Sequence, residues 1–384
     1  MYPEVDFDLP MTTSVVKREL DAIGVPYTEE YGEGSVVGYI NPEKKGFTIA
    51  IRADMDALRL TEEVDTPYRS KNDGYMHACG HDGHTAMLIG TAKVLKSIEN
   101  ELNCRVKLLF QPSEEGVKSG AVMMIEHGVL DDVDVIIAQH VSNAIDVGKL
   151  TICAGEAQAC SRHFKVEVFG KSAHAANPTT GIDALAIAVR LYNAIQLVLS
   201  REIHPLKRCL CSIGTLNAGT THNNVADYAV MTGTIRTFDV ELSKFIFDRI
   251  EQIANNIATE MGARVTTYGP MKSSCVYNNP YLASLLAESI KKVVGEENFS
   301  EGSMALGSED FSRFGDVVPA VIFRLGTGDC EKGCTAAAHR SDFNISEDAL
   351  IYGVRAFVQF VIDYQNGIDR EKLIAADKRK NGVK

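Results

Sequence analysis

The sequence predicts an α/β protein in which a domain with a mostly parallel sheet is interrupted by a smaller, ferredoxin-like α+β domain. Its 384 residues exceed what one hydrophobic core usually holds, so two domains are expected. Short apolar runs alternate with helical patterns near both ends of the chain, as in parallel sheets. The middle of the chain follows the order strand, helix, strand, strand, helix, strand, which is the split ferredoxin-like pattern. We therefore predict one domain from residues 1–157 and 271–384, with a second domain, residues 158–270, inserted into it.

The elements of the two domains are predicted from hydrophobic periodicity. In the helix predicted for residues 82–98, Met87, Thr91 and Leu95 fall on one apolar stripe. Pro112 ends the strand predicted for residues 105–110. The first domain has predicted strands at 47–53, 105–110, 133–138 and 318–325, and helices at 82–98, 120–127 and 347–364. The second domain has predicted strands at 163–169, 209–216, 227–238 and 263–268, and helices at 182–199 and 242–261.

Charge and cysteine content limit the kind of partner and the compartment. A net charge of -12 opposes binding to nucleic acid or to an anionic membrane surface. We find no apolar run approaching the roughly 18 residues of a spanning helix, and no signal peptide at the start of the sequence. Nine scattered cysteines fit reduced thiols, so we expect a cytoplasmic protein. A structural zinc site at Cys330 and Cys334 would lack a second pair of ligands.

Polar side chains follow three of the predicted strands. Asp54 and Asp56 follow the first strand, Glu114 and Glu115 the second, and His140 the third. Ligands of open α/β sheets bind beyond the carboxyl ends of the strands. We therefore expect these carboxylates and this imidazole to meet at one edge of the sheet.

A segment rich in histidine, residues 77–84, lies immediately before the first long helix. It holds His77, Cys79, His81, Asp82 and His84, with glycines that allow a tight turn. Imidazole and thiolate both suit a divalent transition metal. The alternative is a histidine-rich helix start capped by Asp82. The density of ligand-type side chains favours a metal site.

The neighbouring carboxylates of Glu114 and Glu115 suggest a division of roles. They repel each other unless a cation balances them, although adjacent acidic residues are also common on surfaces. One can bind a metal while the other accepts a proton from water that the metal has acidified. His339, in the loop before the last helix, would alone be read as a surface histidine. It becomes a candidate because two ions need further ligands.

These residues resemble the co-catalytic metallopeptidases that include aminoacylases and carboxypeptidase G. The resemblance is strongest to the amidohydrolase subgroup of hippurate hydrolase, N-acetyldiaminopimelate deacetylase and the indoleacetyl-amino-acid hydrolases. It extends from about Pro3 to about Phe360. Its motifs occur in the expected order, at residues 52–58, 77–84, 111–116, 170–176, 233–236 and 307–311.

The resemblance implies a metallopeptidase catalytic domain with two divalent ions, which could be Zn, Mn, Co or Ni. Glu114 would be the general base and later the proton donor, and Asp56 would steady the site from behind the ligands. The implied metal ligands are Cys79, which could bridge the ions, His81, Glu115, His140 and His339.

The resemblance also assigns roles in the inserted domain, which would serve as a lid and as a dimer interface. His174 would stabilise the oxyanion, and in dimeric relatives this histidine comes from the neighbouring subunit. Asn224 and Arg236 would hold the substrate carboxylate, although an asparagine before a strand is often a turn residue and a strand arginine is often solvated. A homodimer through residues 158–270 is therefore expected.

The implied function is hydrolysis of the amide bond of small N-acyl-L-amino acids. A dipeptidase or carboxypeptidase with the same ions, and a non-catalytic scaffold held by its metals, are the alternatives. Relatives usually carry a helix ahead of the segment that begins here at Met1. We therefore expect the first helix to be missing or shortened, and the core near residues 10–25 to be poorly covered.

Overall fold

The computed structural model describes residues 1–377, which divide into two compact units. Unit 1 comprises Met1–Ala157, Val276–Met304 and residues 310–377, and unit 2 comprises Gln158–Cys275 and Ala305–Glu309. The helices are α1 (Pro10–Ile23), α2 (His81–Ser97), α3 (Gly120–Glu126), α4 (Ala184–Leu197), α5 (Val240–Glu260), α6 (Pro280–Val294), α7 (Ser312–Val317), α8 (Leu350–Tyr364) and α9 (Arg370–Ala376). The strands are β1 (Tyr27–Thr28), β2 (Val36–Ile40), β3 (Thr48–Asp54), β4 (Arg105–Gln111), β5 (Val135–Asp146), β6 (Leu150–Ile152), β7 (Gly155–Gln158), β8 (Cys160–Phe169), β9 (Ala173–His174), β10 (Cys209–Ala218), β11 (Asn224–Val225), β12 (Tyr228–Thr237), β13 (Arg264–Tyr268), β14 (Met271–Ser273), β15 (Val276–Asn278), β16 (Phe299–Glu301) and β17 (Ala320–Gly328).

Unit 1 is built on an eight-stranded sheet in the order β1-β2-β4-β3-β5-β17-β6-β16. Its central strands β4, β3, β5 and β17 are parallel, and antiparallel strands lie toward the edges. Every residue of β3 is buried, as expected for a strand covered on both faces. The predicted α/β fold with a large, mostly parallel sheet is confirmed. Because the central strands are parallel, their carboxyl ends lie at one edge of the sheet.

Strand β5 continues well beyond the predicted end at residue 138. Its second half mixes polar and apolar residues and is mostly not buried, yet this half still pairs with β17 as far as Gly328 and Asp146. The apolar run that predicted the strand marks only its buried part, because hydrogen bonding continues where burial ends.

Helix α1 covers the core near residues 10–25, so the expectation of poor cover there is wrong. Pro10 occupies the first turn, where its missing N–H costs nothing. Gly24 ends the helix in the left-handed conformation at φ 72°. Val16 and Leu20 are fully buried between these ends, in the core of unit 1.

Unit 2 contains a five-stranded antiparallel sheet, in which four strands follow the order β10-β12-β8-β13 and β14 also pairs with β8. Helices α4 and α5 bury one face each in a core shared with this sheet. The helical segment Ala184–Glu202 is the one part of residues 1–377 that is long and apolar enough to cross a membrane. Its inner face, which includes Ile187, Leu191 and Ile195, lies in the core of unit 2. Only 33% of the most apolar window of this segment is buried, so packing accounts for one face of it.

Candidate metal centre

Four separate segments of unit 1 deliver the side chains that were predicted to bind metal. Their ligand atoms form two triads, and within each triad the atoms lie within 4.8 Å of one another. The two triads are Cys79 with His81 and His140, and Cys79 with Glu115 and His339. The structure thus brings the five residues together in two groups that share a single sulfur atom.

The turn that carries Cys79 and His81 depends on the glycine between them. Gly80 has φ 81°, a conformation that side-chain-bearing residues rarely adopt. A Cβ atom at this position would lie 2.4 Å from Cγ2 of Val141, so only glycine fits against β5. Helix α2 begins at His81, directly after this turn.

The ring of His81 is oriented through Nδ1, which leaves Nε2 available. Nδ1 lies 2.8 Å from the carbonyl oxygen of Asp56, which fixes the proton on that nitrogen. Nε2 is buried and has no hydrogen-bond partner within residues 1–377, and the nearest carboxylate oxygen, on Asp54, is 3.6 Å away. A buried imidazole nitrogen left in this state is what a metal ligand requires.

His140 and His339 complete the two triads that share Cys79. His140 places Nδ1 2.8 Å from the carbonyl oxygen of Val141 and Nε2 3.4 Å from the Cys79 sulfur. His339 places Nε2 3.0 Å from Oε1 of Glu115. Thiolate, imidazole and carboxylate together form a donor set that suits Zn²⁺ and neighbouring divalent ions. The residues present therefore fit a pair of divalent cations.

His84 lies beside this cluster, but both of its ring nitrogens are already engaged. Nδ1 is 2.6 Å from Oδ1 of Asp54, and Nε2 accepts the backbone N–H of Val141 at 3.0 Å. Asp54 also accepts a hydrogen bond from NH1 of Arg52 at 2.7 Å. Asp54, His81 and His84 lie close enough to form a third group, but binding there would break these bonds. We read His84 as a structural partner of Asp54.

Asp56 supports the segment that carries the two glutamates. Its carboxylate accepts the backbone N–H of Glu114 at 3.0 Å and that of Glu115 at 2.9 Å. The same carboxylate lies 3.3 Å from Nδ1 of His81. One buried side chain thus holds the acidic pair and a histidine in a common frame.

Glu114 is buried, and its Oε1 accepts the backbone N–H of Asp310 at 3.2 Å. Ligand atoms of Glu114, Glu115 and His81 lie within 4.8 Å of one another. A second carboxylate therefore lies beside the donor set without belonging to either of the two triads.

Burial and charge set the protonation of the surrounding groups. Burial alone would raise the pKa of Asp54, but Arg52 and the neighbouring histidines hold it well below the usual range. Burial, followed by the charge of Arg324, lowers the pKa of His140 well below its usual value. Hydrogen bonds to Cys79 and then Glu115 raise the pKa of His339 to about 10. The contacts of His339 thus favour a positive charge on its imidazole.

A buried network under the glutamates was not foreseen from the sequence. Arg52 donates from Nε to Gln111 at 2.7 Å and from NH2 to Asp310 at 3.0 Å. Gln111 and Ser119 also donate to the Asp310 carboxylate. The available signal was an arginine in the middle of the apolar strand β3, which needs a carboxylate partner when fully buried.

The remaining predicted site residues lie in unit 2. His174 in β9 pairs with Asn224 in β11, and Asn224 donates to Oγ of Ser172 at 2.6 Å. The N–H of Ala176 donates to Nδ1 of His174 at 3.0 Å, which leaves Nε2 as the protonated nitrogen. Arg236 in β12 is partly buried, and burial lowers its pKa.

Comparison with known proteins identifies the family. Residues 50–363 match the family described as peptidase family M20/M25/M40. The chain is 36% identical to thermostable carboxypeptidase 1 of Saccharolobus solfataricus, over 95% of this chain and 93% of that protein. It is 34% identical to an N-acetyl-L-cysteine deacetylase of Bacillus subtilis, over 91% of this chain and 82% of that protein. A solved dinuclear metal-binding M20 peptidase from Bacillus subtilis is similar at TM-score 0.82 and 29% identity, covering 96% of this chain and 95% of that one. The chain belongs to peptidase family M20/M25/M40 and is a metal-dependent amidohydrolase.

Proposed function

We propose that this protein hydrolyses the amide bond of N-acyl-L-amino acids, with water as the nucleophile and Glu114 as the general base. The observation that carries the proposal is the pair of triads sharing Cys79, with the separate carboxylate of Glu114 beside them. An N-acetyl-L-cysteine deacetylase among the relatives supports an acyl amino acid as substrate.

We propose Cys79, His81, Glu115, His140 and His339 as ligands of two divalent cations, with Zn, Mn, Co and Ni as candidates. Bound cations would lower the pKa of the attacking water and neutralise charge developing on the carbonyl oxygen. Asp56 holds the ligand segment through the backbone N–H groups of Glu114 and Glu115.

Glu114 carries the proton through the reaction. Its carboxylate takes a proton from water as the water oxygen bonds to the acyl carbon, and delivers that proton to the departing amine nitrogen. The hydrogen bond from the Asp310 N–H to Oε1 holds this carboxylate in place. The products are a carboxylic acid and a free amino acid.

Residues of unit 2 are proposed to bind the substrate. The proton on Nε2 of His174 makes this nitrogen a donor for the carbonyl oxygen. Arg236 has no ion pair with any residue between 1 and 377, and it offers two parallel donors to a substrate carboxylate. Asn224, held beside His174 by strand pairing, would provide a further donor.

We propose residues 158–270 as the inserted domain. We also propose that this domain acts as a lid and pairs with a second copy of this chain. On α4, Leu185, Val189 and Tyr192 are exposed on the side facing away from the core. Strand β10 forms one end of the sheet, so its outer edge can pair with another strand. Sedimentation of Tyr192→Glu beside the wild type tests this interface; a dimer that persists unchanged would contradict it.

The alternative is a carboxypeptidase or dipeptidase, which the similarity to a thermostable carboxypeptidase favours. Both activities would use the same cations and general base, and they differ in the group on the acyl side of the bond. Kinetics on benzoyl-, acetyl- and aminoacyl-glycine separate them. A kcat/KM at least 10-fold higher for the aminoacyl substrate would favour the dipeptidase.

The decisive experiment measures hydrolysis and metal content together. We expect chelator-treated protein to be inactive and to recover with Mn²⁺, Zn²⁺ or Co²⁺. We expect Glu114→Gln to lose about 10²–10⁴-fold in kcat while binding the same number of cations, since general acid-base catalysis has this magnitude. Full activity of the metal-free protein, or of Glu114→Gln, would overturn the mechanism.

The nine free cysteines agree with our further proposal of a cytoplasmic location.

A further inference from the structure

A side chain from β5 holds the loop that carries His339 at two points. Asn143 donates from Nδ2 to the carbonyl oxygen of Ala336 at 2.9 Å and to that of Asn344 at 2.8 Å. These two carbonyls lie before and after His339 in the sequence. One amide group therefore closes the loop on both sides of the histidine.

The orientation of Asn143 is itself fixed. Its Oδ1 accepts the hydroxyl of Thr327 at 2.8 Å, and Thr327 is fully buried in β17. The register between β5 and β17 shifts at this point, because Gly326 pairs with Ser142 whereas Gly328 pairs with Asp146. This irregularity places Asn143 in a bulged part of β5. Both N–H bonds of the amide and one lone pair of its oxygen are thus engaged within unit 1.

His339 needs such support because its backbone is strained. Its φ is 68°, in the left-handed region that non-glycine residues rarely adopt. A conformation of this kind costs on the order of 1 kcal/mol or more and persists where surrounding contacts enforce it. These contacts include the Asn143 bonds, the N–H of Glu63, which donates to the carbonyl oxygen of Ser341 at 2.8 Å, and the N–H of His339, which donates to the carbonyl oxygen of Ala78 at 2.8 Å. This last bond joins the loop to the residue next to Cys79.

We propose that Asn143 is a positioning residue for the cation held by Cys79, Glu115 and His339. It keeps the His339 loop in the strained conformation that brings Nε2 within 3.0 Å of Glu115. The inference rests on the proposed metal site, and it requires no particular substrate. Asn143 would tune one of the two cations and leave the one held by His81 and His140 unaffected.

Cation titration provides the test, using Co²⁺ added to the metal-free protein and followed by calorimetry and visible absorption. Loss of an outer partner of a ligand typically weakens binding about 10–100-fold. We expect Asn143→Ala to weaken one of two Co²⁺ sites by this factor. Asn344→Ala is the matched control, because it removes a side chain but keeps the carbonyl that Asn143 contacts. We expect this control to bind both ions as the wild type does.

A double-mutant cycle separates positioning from a general loss of stability. In a His339→Ala background, Asn143→Ala should cause no further loss of Co²⁺ affinity, since its effect passes through the histidine. Equal loss in both backgrounds, or weakening of both Co²⁺ sites alike, would overturn the proposal. If His339→Ala itself leaves both sites intact, the ligand assignment fails instead, which is a distinct result.

Hydrogen exchange supplies a readout if Asn143→Ala is too unstable to titrate. Asn143→Asp keeps the acceptor for Thr327 and removes both donors to the loop. We expect backbone amides of residues 335–345 to exchange faster in this variant, while those of β3 and β4 stay protected. Unchanged protection of the loop would contradict the role given to Asn143.

Discussion

Replacement of Asp56 tests whether one buried carboxylate organises the metal-binding segment. The Asp56 carboxylate accepts hydrogen bonds from the backbone N–H groups of Glu114 and Glu115. Hydrogen bonds to a charged group contribute about 1.5–3 kcal/mol each to stability. Asp56→Ala should therefore lower the free energy of unfolding of the metal-free protein by about 3–6 kcal/mol. Asp56→Asn retains one acceptor and turns an NH2 group toward the other N–H, so at least half of that loss is expected.

The measurement is urea denaturation followed by far-UV circular dichroism, because the chain has no tryptophan. The exposed Asp73 provides a control with the same change of charge, and Asp73→Asn should stay within about 0.5 kcal/mol of the wild type. Cation affinity of Asp56→Asn should fall about 10–100-fold, because Asp56 also lies beside His81. An Asp56→Ala protein within 1 kcal/mol of the wild type would refute this reasoning about the two backbone bonds.

Three further results are expected. His84→Ala should lower the free energy of unfolding by about 3–5 kcal/mol, since it removes a bond to the Asp54 carboxylate and leaves a buried N–H unpaired, yet metal analysis should still find two cations. Asp239→Asn keeps a side-chain oxygen that can cap α5 but removes the negative charge. In the wild type, burial would raise the pKa of Asp239, but Lys207 and backbone N–H groups lower it. The stability advantage of the wild type should thus be complete above pH 3.8, the ordinary pKa, and disappear as the pH falls through the lower folded value, which pH-dependent thermal unfolding can follow. Arg236→Lys should raise KM about 10-fold with little change in kcat, because a two-pronged contact with the carboxylate is lost.

The sequence was informative about the cluster because its members follow regular elements. Asp56 and Glu115 lie beyond the ends of β3 and β4, and His140 lies where the continuous buried part of β5 stops. Parallel pairing brings these three points to one edge of the sheet. Cys79 and His81 were recognisable because ligand-type residues are dense around a glycine that permits the turn. In these cases local pattern and global topology agree, so short-range reasoning was enough.

Other features depend on partners that are distant in sequence and have no local signature. Nothing next to Asn143 indicates that it will bond to carbonyls almost 200 residues later. Likewise, His84 differs from His81 and His140 because its ring bonds to Asp54, although all three residues look like metal ligands in the sequence. The resemblance to relatives gave no sign of α1, whereas the amphipathic pattern of residues 10–23 indicates a helix that covers the core with one face.

The sulfur shared by the two triads makes both triads depend on one atom. Each triad also has ligands of its own, but a change at Cys79 alters both triads at once. Oxidation of this thiol to a sulfinic acid would replace a soft donor by hard oxygens, and simple reductants do not reverse it. Prior loading with metal should therefore protect the enzyme against peroxide, and inactivation should proceed in a single phase in which both ions leave together.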